Sequence, residues 1–536
     1  MTADFLQRLL DQGVSEFCLC AGARNATIIK TFSENPQITV FHFFEERSAA
    51  FFALGRIQKI KRPVAVVTTS GTAVAELLPA VIEAFYSGLP LVLITADRPK
   101  NYRGSGAPQA IEQVGIFSHY IDKHYDFDIN EFSEVKDFIL LEQKPVHFNV
   151  CFEEPLIDGP LKKLKLPNLE LLPNSVTKFQ EEADSNSALK TFCELFRGMK
   201  PFVILSGLQL EIEDEKTLVS FLKKHHFPLY VEGTSGLKHH PELRQQSLLA
   251  VDKVLKALIQ QGEVNCVFRI GGIPTLRFWR DLEFEYKQLP VFSLSEKKFT
   301  GLSRESKLFC GVKKFIHFIK ENSSAFAINE VSANFAEFMQ KDSHLSLKLL
   351  ELFKQFPQSE PAMIHKLSVL LQTGTNNLYL GNSLPIREWD LAADKGTFLR
   401  RVYANRGANG IDGQISTFLG IAHQHEKSWA LLGDLTTMYD LAALWISEQI
   451  QLTATNIVVI NNQGGMIFDR IFKNDYFLNR HQVQFEFWAK MWNWNYKKWT
   501  EIPSQMNKEV FGDRNIIEVL PCAQQTADFW KVWDSY

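Results

Sequence analysis

Short uninterrupted apolar runs alternate with amphipathic stretches along the N-terminal part of the chain. The runs are Phe17–Cys20, Thr39–Phe43, Val64–Thr68 and Leu91–Thr95; between them lie Ala26–Glu34, Glu45–Ile60 and Thr72–Tyr86, which have helical spacing. Apolar runs this short and continuous fit strands buried on both faces. Strands alternating with helices predict a doubly wound parallel α/β sheet, whose ligands bind at the carboxyl ends of the strands. The alternation returns twice. A second set of strands is predicted at Phe202–Leu205, Leu229–Glu232, Cys266–Ile270 and Val291–Leu294, and a third at Leu378–Leu380, Trp429–Leu432, Ile457–Ile460 and Ile516–Leu520.

The breaks in this pattern set the expected domains. Residues 1–155 form an N-terminal α/β domain, and the proline- and charge-rich stretch 156–186 is a linker. Residues 187–324 form a central α/β domain, 325–355 a helical connector, and 356–536 a C-terminal α/β domain. Three domains suit a chain of 536 residues.

Composition removes several classes of function. The formal net charge is −3, which leaves no polyelectrolyte argument for nucleic acid. No uncharged apolar run reaches the roughly 18 residues of a membrane span. The first residues, MTADFLQRLLDQGV, carry Asp4 and Asp11 within an amphipathic pattern and read as a helix rather than a signal peptide. The seven cysteines form no C-x-x-C pair, which fits a reduced, cytoplasmic setting. The 43 phenylalanines are expected in the cores.

Two strand ends carry the chemistry. One is Ser428-Trp-Ala-Leu-Leu-Gly-Asp434, in which Gly433-Asp434 precedes a helix start; the other is Asn456-Ile-Val-Val-Ile-Asn-Asn-Gln-Gly-Gly465. One strand–helix–strand crossover separates Asp434 from Asn462, so both can stand at the carboxyl ends of adjacent strands. Oxygen donors from Asp, Asn and a backbone carbonyl suit a hard octahedral cation such as Mg²⁺, which also takes phosphate oxygens. Glycine allows backbone to approach a diphosphate closely, and a helix start offers its amide dipole. In the N-terminal domain, Glu45-Glu46-Arg47 opens a helix directly after an apolar strand.

The Gly-Asp and Asn-Asn pair resembles the diphosphate signature of thiamine diphosphate enzymes. The resemblance implies Asp434, Asn462 and the carbonyl of Gly464 as ligands of Mg²⁺ or Mn²⁺, with Gly433, Leu435, Gly465 and Met466 around the cofactor. Leu435 stands where the family usually has a further glycine. It also implies a carboxylic acid that shares a proton with the aminopyrimidine ring. Alignment on Glu-Arg picks Glu46, with Glu45 as the runner-up.

Further stretches narrow the family. They are AGARNA (21–26), the run from Thr69 through Ala96-Asp-Arg-Pro99, GAPQAIEQVGIF (106–117), GNSLPIR (381–387) and NRGANGIDGQISTFLGIA (405–422). Together they resemble the 2-succinyl-5-enolpyruvyl-6-hydroxy-3-cyclohexene-1-carboxylate (SEPHCHC) synthase, or MenD, family of menaquinone biosynthesis. That family decarboxylates 2-oxoglutarate and adds the resulting succinyl semialdehyde carbanion equivalent to isochorismate. Both substrates are dianions, and guanidinium groups pair bidentately with carboxylates without losing charge. Arg24, Arg98, Arg387 and Arg406 all lie in these motifs. The resemblance gives Arg387 and Ser383 to isochorismate, Arg406 to the oxoacid, and Gln109 to orienting the intermediate. Arg277 stands for a family lysine. Ile411 would prop the bent cofactor, and Ile467 and Phe468 would line the substrate side.

Ala23 and Pro108 replace a serine and an asparagine common in that family. His423 and His425, in AHQHEKS, are expected on a solvated helix face. The resemblance further implies a homodimer or dimer of dimers with each site built from two chains. Two alternatives are another thiamine diphosphate-dependent 2-oxoacid decarboxylase or carboligase, and a non-catalytic α/β binding protein that keeps the fold.

Overall fold

The buried runs become parallel strands in the computed structural model. It describes residues 1–135, 140, 144–154, 156–157, 162–168, 185–196, 198–322, 335–371, 377–425, 427–505 and 512–536. Most of the expected linker, and residues 325–334 of the expected connector, lie outside the described residues.

The chain forms two compact units. The first comprises Met1–Gln180, Asn405–His425 and Thr436–Leu452; the second comprises Glu181–Ala404, Glu426–Leu435 and Thr453–Tyr536.

In the first unit, β1 (Glu16–Cys20), β2 (Thr39–Phe43), β3 (Val64–Thr68), β4 (Leu91–Asp97), β5 (Lys123–Asp128) and β6 (Val146–Cys151) form a parallel sheet in the order β2-β1-β3-β4-β6-β5. Phenylalanine fills its core as expected: Phe5 lies edge-on to Phe127, Phe132 and Phe148, with ring centroids 5.4–5.7 Å away. The Glu46–Ile60 helix packs on the Gln414–Ala422 helix backbone against backbone. A Cβ on Gly55 would lie 2.0 Å from the Thr417 carbonyl oxygen, and one on Gly420 would lie 2.4 Å from that of Phe52. Arg56 stitches the pair, donating to the Gly420 carbonyl at 3.0 Å and bidentately to Glu16 at 2.7 Å.

The second unit holds two parallel sheets. In the first, β7 (Pro201–Ser206), β8 (Leu229–Val231), β9 (Cys266–Gly271), β10 (Val291–Ser295) and β11 (Lys307–Cys310) lie in the order β11-β10-β9-β7-β8. In the second, β12 (Asn377–Leu380), β13 (Val402–Tyr403), β14 (Ser428–Gly433), β15 (Thr455–Ile460), β16 (Asn495–Trp499) and β17 (Arg514–Val519) lie in the order β13-β12-β14-β15-β17-β16. One continuous core, with Phe353, Leu367, Trp389, Trp429 and Phe529 among its members, runs from the first of these sheets to the second.

The fold is therefore α/β with three doubly wound parallel sheets, as the alternation predicts. Every strand expected from an apolar run is present. Among the described residues, the five unexpected strands are β5, β11, β13 and β16, which are sheet edges, and β6. β5, β11 and β16 carry exposed polar residues that break a continuous apolar run, β13 is a buried strand of only two residues, and β6 interrupts its run with buried His147 and Asn149. The expected Thr72–Tyr86 helix is two helices, Thr72–Ala75 and Leu78–Ser87, with Pro79 in the first turn of the second. His423 and His425 do not lie on a solvated face; both are buried. His423 packs edge-on to Phe41 and accepts the Gln451 N–H at 3.1 Å, and His425 pairs with Lys59.

Candidate active site

The register of β14 on β15 pairs Gly433 with Ile460, so Asp434 and Asn461-Asn462 emerge side by side at the carboxyl edge of the sheet. The Asp434 carboxylate accepts the Leu435 N–H at 2.6 Å and the Gly464 N–H at 3.0 Å. Burial pushes its pKa above the usual carboxylate range, against the opposing pull of those N–H groups and of His481. The His481 Nε2 lies 3.1 Å from Asp434 Oδ2. Gly464 has φ +146°, and a Cβ there would lie 2.3 Å from the Leu478 carbonyl oxygen, so only glycine fits the turn.

The two asparagines are not equivalent. Asn461 donates to Glu518 at 2.6 Å and accepts the Gln463 N–H at 3.1 Å, so its amide is spent inside the fold. Asn462 donates to both carboxylate oxygens of Glu360, at 3.2 and 3.0 Å, while its Oδ1 is buried and has no donor. A buried acceptor without a donor is costly, and a cation beside Asp434 would satisfy it. The residues present thus fit a divalent metal with oxygen ligands. The helix after Gly433 is shorter than the motif suggests, a single turn at Asp434–Met438, so its dipole adds little. Beyond the glycines, the Met466 sulfur accepts from Arg480 at 3.3 Å and Phe468 is exposed.

Among the described residues of the first unit, Glu45 is the N-cap of the Glu46–Ile60 helix, and Glu46 is its half-buried first residue. Burial raises the Glu46 pKa, and the nearby Glu45 and Glu76 carboxylates add to the effect. Arg24 is buried and donates to the Phe152 carbonyl at 3.2 Å. Arg98 gives two N–H groups to the Pro108 carbonyl, at 3.1 and 3.0 Å, and so braces the loop that carries Gln109. Gln109 is exposed with φ +58°, and a Cβ on Gly71 would lie 3.2 Å from its Cα. Arg406 and Ile411, both half-buried, also belong to this unit.

In the second unit, Ser383 has φ +75° and its carbonyl accepts from exposed Arg387 at 2.5 Å. Arg277 is exposed and pairs with Asp281, one turn along its own helix, at 3.7 Å.

The identity of the chain follows from its relatives. Residues 1–116 match the thiamine pyrophosphate enzyme N-terminal TPP binding domain. The chain is 45% identical to the 2-succinyl-5-enolpyruvyl-6-hydroxy-3-cyclohexene-1-carboxylate synthase of Bdellovibrio bacteriovorus, covering 100% of this chain and 98% of that one. It belongs to the SEPHCHC synthase family. The synthase of Akkermansia muciniphila is 35% identical, covering 98% of this chain and 97% of that one, and the Staphylococcus aureus synthase is 29% identical over 96% and 92%.

Within this synthase fold, several supporting residues escape sequence reasoning. Glu83 accepts the N–H groups of Gly407 and Ala408, both at 2.7 Å, and so shapes the loop that holds Arg406. Gln113 ties Gly71 to Asn149. Glu360 and His481 flank the Asp434–Asn462 pair. Glu83 alone leaves a sequence signal, a charge on the apolar face of a helix; the others depend on contacts distant in sequence.

Proposed function

We propose that the chain is a thiamine diphosphate- and divalent-metal-dependent SEPHCHC synthase of menaquinone biosynthesis. It decarboxylates 2-oxoglutarate and joins the remaining four-carbon unit to isochorismate by 1,4-addition, releasing CO₂. The observation that carries this reading is full-length 45% identity to a synthase of that name, in a chain with acidic and amide oxygens at two adjacent strand ends. Bound thiamine diphosphate supplies the carbon nucleophile.

The protein's residues bind, orient and hold protons. Asp434, Asn462 and the Gly464 carbonyl would hold Mg²⁺ or Mn²⁺, with Gly433, Leu435, Gly465 and Met466 beside the diphosphate. Glu46 holds a proton toward the aminopyrimidine ring, a role supported by its raised pKa. Ile411 would support the cofactor. Arg24, Arg98, Arg277, Arg387 and Arg406, with Ser383 and Gln109, bind the dianions, and Ile467 and Phe468 form the apolar wall.

We further read the working form as a homodimer or dimer of dimers with shared sites. Exposed apolar side chains support this in each unit: Phe44, Tyr439, Leu441 and Trp445 in the first, and Phe468, Ile471, Phe472 and Phe477 in the second. No described helix is long and apolar enough to cross a membrane. Cys18, Cys20, Cys151, Cys193, Cys266 and Cys522 are free thiols, which supports a cytoplasmic setting.

The deciding experiment is a two-substrate assay with thiamine diphosphate and Mg²⁺. Consumption of 2-oxoglutarate should be slow alone and rapid with isochorismate. Equal use of pyruvate would replace this reading with another decarboxylase or carboligase, and failure to bind thiamine diphosphate would end the enzyme reading.

A further inference from the structure

An asparagine that serves a metal must present oxygen, not nitrogen, and an amide turned by 180° offers a donor where an acceptor is needed. Asn462 is held against that turn from behind. Its Nδ2 lies 3.2 and 3.0 Å from the two oxygens of Glu360, which leaves Oδ1 buried and without a donor on the opposite side. Glu360 is itself fixed. It is buried at the start of the Glu360–Leu371 helix, and its backbone N–H donates to the Thr526 hydroxyl at 3.0 Å.

We propose that Glu360 is a positioning residue of the metal centre, which locks the Asn462 amide with its oxygen toward the cation. The inference rests on the reading of Asn462 as a ligand. Ionised or protonated, Glu360 keeps an oxygen that accepts the amide N–H, so the orientation does not depend on its charge. Accepting that N–H also draws electron density toward Oδ1 and makes it a better ligand. Partners behind first ligands act in this way at metal sites generally. Asn461, one residue earlier, lacks the arrangement because its Oδ1 already accepts the Gln463 N–H.

The test is Mn²⁺ binding to the full chain with thiamine diphosphate present, followed by the electron paramagnetic resonance of free Mn²⁺. Glu360→Met and Glu360→Leu remove the acceptor while keeping comparable bulk. Each should weaken Mn²⁺ binding about 10- to 100-fold. Glu360→Gln retains a carbonyl acceptor and should stay within about threefold of the parent. Mn²⁺ affinity within twofold of the parent in a folded Glu360→Met or Glu360→Leu variant would overturn the proposal. So would a Glu360→Gln variant as weak as those two, since charge rather than amide orientation would then be the determinant. Asp434→Ala separates the two levels. If it retains Mn²⁺ affinity, the metal reading itself fails; if it alone loses affinity, only the role of Glu360 does.

Discussion

Glu45 turns its carboxylate back onto Ser48. Its oxygens accept the backbone N–H groups of Arg47 at 3.2 Å and Ser48 at 3.0 Å, and the Ser48 hydroxyl as well. A carboxylate engaged in an N-cap is directed into the helix start. Glu46 takes no part in that cap, and burial raises its pKa. Glu46→Gln should therefore lower kcat by at least ~100-fold while thiamine diphosphate binding, measured by calorimetry, changes little. Glu45→Ala should cost about 1 kcal/mol of stability and leave turnover within tenfold. A near-parental rate in Glu46→Gln would transfer the role away from it.

Metal removal tests the other half of the chemistry. Dialysis against a chelator should abolish turnover, and either Mg²⁺ or Mn²⁺ should restore it. Asp434→Ala should weaken metal-dependent thiamine diphosphate binding by about 100-fold or more, because it removes the anionic oxygen from the strand end where the cation would bind.

Arg387 lies one turn from Ser383, to whose carbonyl it donates. Arg387→Ala should raise KM for isochorismate about tenfold or more, and KM for 2-oxoglutarate much less. Equal effects on the two would remove its assignment to isochorismate.

The contact between Gly55 and Gly420 is a test of packing alone. Gly55→Ala would set a methyl group 2.0 Å from a fixed backbone oxygen. The helices must separate, at a cost of about 1–3 kcal/mol by the usual scale of overpacking. Thermal melts should show the loss, and the change should be larger than for alanine at an exposed helix position.

Asp440 gives a pH dependence with a defined sign. It is buried and accepts the Ser416 N–H at 2.8 Å and the Ser416 hydroxyl, with the charges of Arg47 and Glu45 close by. Burial raises its pKa from 3.8 to about 6. The folded state thus holds a proton that the unfolded chain releases. The associated stability is full below pH 4 and is lost as pH rises through about 6. Asp440→Asn should gain on the parent by on the order of 2–3 kcal/mol between pH 4 and pH 7, read from denaturant midpoints. A constant difference across that range would contradict the assignment.

How much of this was legible beforehand depended on locality. An apolar run states its own burial, so every central strand except β6 could be read from the sequence, and so could the strand ends that carry Asp434 and Asn462. The edge strands β5 and β16 could not, because their many polar residues resemble loop. The buried histidines His423 and His425 were misread for a related reason: their partners, Gln451 and Lys59, come from elsewhere in the chain.

By itself the sequence determined the fold class, the family, the cofactor chemistry and which residue types stand at the strand ends. The fold class follows from period and spacing, and the family and cofactor from the resemblance its motifs carry; all of these are properties of neighbouring residues. Only the tertiary structure decided that Asn461 is spent on Glu518 and that Asn462 is turned by Glu360. It likewise decided that Glu45 caps its helix, and that Glu83 shapes the loop of Arg406. A hydrogen bond orients a side chain through a partner that can be a hundred residues away, and no local pattern records which partner the fold brings within reach.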